Sequence, residues 1–263
     1  MQSLVQNVYH SAEKLSKHSH FHDCHQIIFV VKGKAVFCVN GKTLHATAGD
    51  IAIFSRYENH SVAECSDEYE RYVLLLDPDV ANQKSTVYSL LTDRPAVFCN
   101  IIHIAERMDQ IVDLFKHILF EHHNPSKLAD EMEQLLVKQL LIIIYRCTTV
   151  DFGNTYDVIV SNVKRQFEIA CHEQYTLNAL AKQYNISISS LSHRFRAVTG
   201  VSVMDYLQSC RMANAKQMLA ETDYSIGEIV ESCGFSNNSN FSRTFKRLNG
   251  ISPTDFRKKY KAE

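Results

Sequence analysis

A repeat at a fifty-residue offset constrains this chain more than any other feature. Ser189-Ser190-Leu191-Ser192-His193-Arg194-Phe195-Arg196, followed by Gly200-Val201-Ser202, returns as Ser239-Asn240-Phe241-Ser242-Arg243-Thr244-Phe245-Lys246, followed by Gly250-Ile251-Ser252. Apolar, basic and turn positions keep their places, so one supersecondary unit is used twice. Each copy follows a short amphipathic segment and a tight turn, the layout of a helix-turn-helix. In the first, Leu177, Leu180 and Ala181 give one apolar face behind an N-cap at Thr176, and Asn185 interrupts. A second helix then buries Leu191, Phe195 and Val198 and ends at Gly200, since glycine adopts a left-handed terminus at little cost. In the second copy Ser225 caps a helix with Ile226, Ile229 and Val230 inward, and Cys233-Gly234-Phe235 turns the chain. Phe241, Phe245 and Leu248 pack the following helix, which stops at Gly250 with Pro253 barring extension.

The side chains left outward on the second helix of each copy are polar or basic. They are Ser189, Ser192, His193 and Arg196 in the first, and Asn238, Ser239, Ser242, Arg243 and Lys246 in the second. Neither Ser187 to Thr199 nor Ser236 to Asn249 contains a carboxylate. Duplex DNA repels carboxylates, whereas Arg and Asn supply donors that base edges and phosphates accept. A solvated helix face is the bland alternative for one such helix, and two at a matched offset argue against it. These nine residues are therefore the expected DNA contacts. Val203 to Ala220 reads as a connecting helix of roughly 27 Å at about 1.5 Å per residue, near the ~34 Å between successive major-groove faces.

The stretch from Ser225 to Tyr260, with Glu228-Ile229, Gly234-Phe235, Asn240-Phe241-Ser242-Arg243, Phe245-Lys246, Gly250-Ile251-Ser252-Pro253 and Phe256-Arg257, resembles the AraC/XylS-type DNA-binding signature. The resemblance runs over residues 160 to 260. Val230 stands where the family usually carries a smaller side chain and Cys233 where it often carries Val, both apolar exchanges within a core. Ser189 stands where the family can carry a large base-contacting side chain, which weakens direct readout there or shifts it to Arg196. The resemblance implies a transcription regulator, more often an activator that recruits RNA polymerase than a repressor, with a small-molecule effector, frequently a sugar or related metabolite.

Charge divides the chain. Residues 1–155 hold 14 Lys/Arg against 19 Asp/Glu, and residues 156–263 hold 14 against 10, within an overall charge of −1. An acidic sensor joined to a basic reader is the natural interpretation, with domains expected at 1–150 and 156–263 and a linker at Thr148 to Thr155. The early residues read as strands: Gln26 to Val31, Ala35 to Val39, Thr43 to Ala46, Ile51 to Phe54 and Arg71 to Leu76, with Asn40-Gly41 as a strong hairpin signal. Short strands at this spacing suggest a barrel or sandwich. Helical stretches are expected from Ile101 to His122 and from Lys127 to Cys147, packing on the strands or forming a homodimer face. The apolar run Leu140 to Tyr145 is far short of the ~20 residues of a membrane span.

His18-x-His20, Gly33, Asn40-Gly41, Gly49-Asp50 and His60 together resemble the small cupin barrel that AraC-type regulators carry as an effector domain. The fold class expected is therefore α+β: an N-terminal cupin-like β-barrel with two trailing helices, and a C-terminal all-α domain of two helix-turn-helix units joined by a long helix. His18, His20, His22, Gln26 and His60 are the expected effector-binding residues. Cupin enzymes use similarly placed histidines for a metal, but no acidic ligand follows His20 at the usual short spacing, so neither a metal nor a cofactor is expected. The eight cysteines form no C-x-x-C pair and mostly fall in apolar patterns, where Cys acts as a small hydrophobe. No signal segment opens the chain, so the reducing cytoplasm is the expected compartment. The leading reading is a regulator without enzymatic activity. The alternatives are a metal-dependent cupin enzyme with a DNA-binding tail, and a regulator gated by a protein partner.

Overall fold

The computed structural model describes residues 4–13, 23–78, 86–92, 94, 98–148 and 157–261. Contacts divide the chain into two compact units, one holding Cys24–Tyr156 with the start of the chain, the other Asp157–Glu263. The linker expected at Thr148 to Thr155 lies, after Thr148, outside the described residues.

The first unit is built on strands β1 (Val5–Ser11), β2 (His25–Lys32), β3 (Lys34–Val39), β4 (Lys42–Thr47), β5 (Asp50–Phe54), β6 (His60–Cys65), β7 (Glu70–Leu76) and β8 (Ile101–His103). They form a five-stranded sheet, β1-β7-β2-β5-β8, and a three-stranded sheet, β4-β3-β6, with every pairing antiparallel. Asn40 and Gly41 both have positive φ, 50° and 80°. That is the two-residue turn whose twist suits a hairpin, and it sets Val39 opposite Lys42.

Strand alternation sorts the larger sheet into two faces. Ile28, Val30, Ala52, Phe54 and Val73 turn toward Ala35, Phe37, Val39, Ala46 and Val62 of the smaller sheet, and these make the barrel interior. Ile27, Phe29, Ile51, Ile53, Tyr72 and Leu74 face the other way, onto helices α1 (Met108–His123) and α2 (Ala129–Cys147). Phe115 of α1 stacks between the two strands, its ring centroid 6.0 Å from Phe29 and 5.2 Å from Tyr72. The β-rich central strands are buried on both faces for this reason.

One expectation needs correction here. The helix expected from Ile101 begins only at Met108, because Ile101–His103 pairs with β5 as an edge strand, Ile102 opposite Ile51. The apolar residues of β8 run into the stripe of α1, which made them look like one helix. On α2, Leu128 just before it, Met132 and Leu135 are exposed rather than packed on the sheet. The side that faces inward there includes Glu133, buried and 2.9 Å from His122.

The second unit is all helical: α3 (Val158–Ala170), α4 (Leu177–Gln183), α5 (Ile188–Thr199), α6 (Val203–Glu221), α7 (Ile226–Ser232), α8 (Asn238–Asn249) and α9 (Pro253–Tyr260). Helix α6 spans 19 residues, about 28 Å at 1.5 Å per residue. Helices α3, α5, α7 and α9 all pack on it, so Tyr206, Leu207, Cys210, Met212, Ala213, Ala215 and Leu219 are buried around its circumference. Among the described residues no helix is long and apolar enough to cross a membrane.

Candidate functional site

Helices α5 and α8 are built alike down to their caps. Ser187 opens α5 by accepting the Ser190 backbone N–H at 3.1 Å, and Asn237 opens α8 by accepting that of Asn240 at 2.7 Å. Gly200 and Gly250 close them with φ of 78° and 76°. Ser202 and Ser252 then cap the next helices, each bonded to the aspartate three residues on, Asp205 or Asp255. In the interiors of the two units Leu191 and Phe195 are buried where Phe241 and Phe245 are. Each capped end satisfies a donor that would otherwise be left over, at about 1 kcal/mol per cap.

The shorter helices in front are capped as expected. Thr176 accepts the Ala179 N–H, and Ser225 forms a reciprocal capping box with Glu228. Between α7 and α8, Gly234 has φ of 76°, and a Cβ there would stand 2.4 Å from the His172 carbonyl oxygen. Arg211 of α6 crosses the same junction. It donates to the carbonyls of Cys171 at 2.8 Å and Glu173 at 2.7 Å, and lies 5.8 Å over the Phe235 ring. The beginning of the first helix-turn-helix and the turn of the second are thereby fastened to the connecting helix.

With those contacts fixed, the outward faces follow. Ser189, His193 and Arg196 on α5 and Asn238, Ser239, Arg243 and Lys246 on α8 are exposed, and Ser192 and Ser242 are half-buried at matching places. The α5 face offers guanidinium, imidazole and hydroxyl groups, the α8 face guanidinium, ammonium, amide and hydroxyl groups, and neither offers a carboxylate. Arg194 lies within the same repeat but is turned inward, where it makes a two-pronged pair with Asp157, the N-cap of α3, at 2.6 and 2.8 Å. Sequence reasoning passed over Asn240 and Arg247, both exposed on α8. It also passed over Ile188, 44% exposed at the start of α5. Its signal was available: Ile188 stands three and seven residues before the buried Leu191 and Phe195, at the exposed start of the same apolar side of the helix.

In the first unit Gln26 and His60 both belong to the barrel interior, and His18, His20 and His22 lie outside the described residues. Gln26 shares a face with Ile28 and Val30 and pairs with Phe54 across the strands. His60 stacks on Phe54 at 4.1 Å and donates from Nδ1 to the Glu58 carbonyl. His25, in the same histidine cluster, is buried with Nδ1 accepting the Arg56 backbone N–H at 3.1 Å, a structural task. Among the described residues no three His, Cys, Asp or Glu side chains converge as metal ligands.

Residues 7–140 match the AraC-like ligand binding domain, and residues 180–259 match a helix-turn-helix domain. The chain belongs to the AraC family. This AraC-type protein is thus a DNA-binding transcription regulator with a ligand-binding domain at its N-terminal end. It is 24% identical over 243 residues to the HTH-type transcriptional activator RhaS of Salmonella paratyphi A, covering 90% of this chain and 86% of that protein. Its fold is similar to that of ToxT from Vibrio cholerae, with a TM-score of 0.67 at 12% identity over 99% of this chain and 100% of the other. A second ToxT structure, with an unsaturated fatty acid bound, matches with a TM-score of 0.62 at 15% identity, over 95% and 93% of the two chains.

Proposed function

We propose that residues 156–263 read two adjacent major-groove segments of a specific operator, and that residues 1–150 bind a small polar effector such as a sugar and control that reading. The observation that carries the proposal is the pair of capped, carboxylate-free helix faces on α5 and α8. Ser189, Ser192, His193, Arg196, Asn238, Ser239, Ser242, Arg243 and Lys246 supply the contacts, some to phosphate and some to base edges. Gln26 and His60 inside the barrel, with His18, His20 and His22, supply the effector contacts. The protein acts in the cytoplasm as an activator that recruits RNA polymerase, a reading supported by the activators it is similar to. It is not an enzyme, on the same support. The exposed apolar row of Leu128, Met132 and Leu135, with Phe120 beside it in sequence at the end of α1, supports homodimerisation through the first unit.

An effector can shift such a protein only by binding its active arrangement more tightly than its inactive one. The test is recovery of source-genome fragments by the purified full-length protein at controlled salt. Enrichment of fragments that share two short elements about one helical turn apart is the expected result. Enrichment by residues 156–263 alone would show that the first unit restrains the reader. No selection by either form would remove the operator-reading proposal.

A further inference from the structure

The barrel interior holds a positive charge that no acidic side chain among the described residues answers. Arg71 of β7 lies on the same strand face as Val73, so its side chain enters the interior beside Tyr69 and Val30, and only 3% of it is exposed. Among the described residues its one hydrogen bond runs from Nη1 to the neutral backbone carbonyl of Glu13, at 2.9 Å. Its Nε is enclosed and hydrogen-bonded to nothing among the described residues. The nearest acid in sequence, Glu70, points to the opposite face, where Lys32 and His10 hold it. Other buried arginines here are treated differently. Arg94 pairs with Glu58 at 3.0 Å, and the half-buried Arg194 pairs with Asp157.

A second enclosed donor stands beside this one. The Tyr69 ring lies 5.2 Å from the Arg71 guanidinium carbon, and its buried hydroxyl also has no hydrogen-bond partner among the described residues. Burial pushes the Tyr69 phenol well above its ordinary range, so it keeps its proton and can donate. Tyr9, opposite Val73 on the neighbouring strand, packs against the same interior. Water cannot satisfy a site this enclosed as bulk solvent would, and a guanidinium without a counter-ion is strongly disfavoured in apolar surroundings. The groups that relieve both donors at once are the oxygens of an anion, to which arginine offers a planar two-pronged fork.

We propose that Arg71 and Tyr69 form an anion-binding subsite, and that the effector carries a carboxylate or phosphate group there. This rests on the effector-binding reading of the barrel and narrows it, since a sugar acid or sugar phosphate satisfies both. Gln26, whose Oε1 is likewise enclosed with no hydrogen-bond partner among the described residues, lies four residues along the neighbouring strand from the Arg71 pairing position, about 13 Å at 3.3 Å per residue. That acceptor stands apart from the Arg71 and Tyr69 donors.

The experiment is thermal unfolding of the full-length protein with sodium acetate, inorganic phosphate or neutral glucose. Chloride makes up the ionic strength, and wild type is compared with Arg71→Met. Arg71→Met keeps the stem and removes the charge, so without ligand it is expected to melt at or above the wild-type temperature. In wild type, acetate, phosphate or both raise the melting temperature saturably, and Arg71→Met abolishes the rise. Acetate alone assigns a carboxylate, phosphate alone a phosphoryl group, and a response to both supports the shared anionic chemistry. Arg71→Lys, which keeps charge but not the fork, is expected to retain a smaller rise and serves if Arg71→Met does not fold. No anion-dependent rise in wild type overturns the inference, as does an equal rise in Arg71→Met. If glucose stabilises both proteins while the anions stabilise neither, the effector-binding reading stands and the charge assignment falls.

Discussion

Arg194 and Arg243 occupy adjacent positions of the repeat, and their surroundings divide their roles. Arg243 is exposed and no ion pair holds it among the described residues, so it is available to DNA. Arg243→Ala should cost about 1–3 kcal/mol of binding and relax specificity at one base pair if it holds a guanine edge. Titrations against single-base operator variants check this, and an equal loss on every sequence would assign it to phosphate. Arg194→Ala should instead lower stability by about 1 kcal/mol, a modest figure because the guanidinium is partly exposed, and should leave sequence preference unchanged. Gly234→Ala should destabilise by more than about 1 kcal/mol, because it combines a positive φ with a clash at the His172 carbonyl. Chemical denaturation measures both. The neighbouring Cys233 is fully buried, and burial pushes its thiol up to about 12, so native protein should alkylate at exposed Cys99 and spare Cys233.

Among the elements, helix α7 carries a pH-dependent cap. Hydrogen bonding by Ser225, through its side chain first and its backbone second, holds the Glu228 carboxyl below its ordinary 4.5. A depressed folded value stabilises above the unfolded one and is lost as pH falls through the folded value. The melting-temperature gap between wild type and Glu228→Gln should therefore be present near neutrality and close well below pH 4.5. Caps of this kind made the helix-turn-helix units legible from sequence, since Thr176, Ser225, Gly200 and Gly250 signal locally what the backbone does locally. Asn40-Gly41 did the same for one hairpin. Strands β1, β6 and β8 gave no such signal. His60–Cys65 mixes polar and apolar residues without clean alternation, and Ile101–His103 is defined only by its partner β5. Helix α3 was missed because its start depends on Asp157, whose cap role is completed by an arginine 37 residues away. The anion subsite was invisible for the same reason, as Arg71 reads as an ordinary strand residue until the fold encloses it.

At the scale of the molecule, sedimentation should show a concentration-dependent dimer that Leu135→Asp, on the exposed α2 row, converts to monomer without lowering the melting temperature. A monomer in wild type at all accessible concentrations would remove the homodimer proposal. The two readers answer to a different constraint, which comes from α6. Because α3, α5, α7 and α9 all seat on that one helix, its length cannot change independently of its neighbours. Inserting one residue would turn everything beyond it by about 100° and advance it by 1.5 Å. Arg211 and Gly234 would then lose their partners across the junction. Such a caliper has fixed jaws: its operators can drift in the letters of each half-site, but the interval between the halves is inherited unchanged.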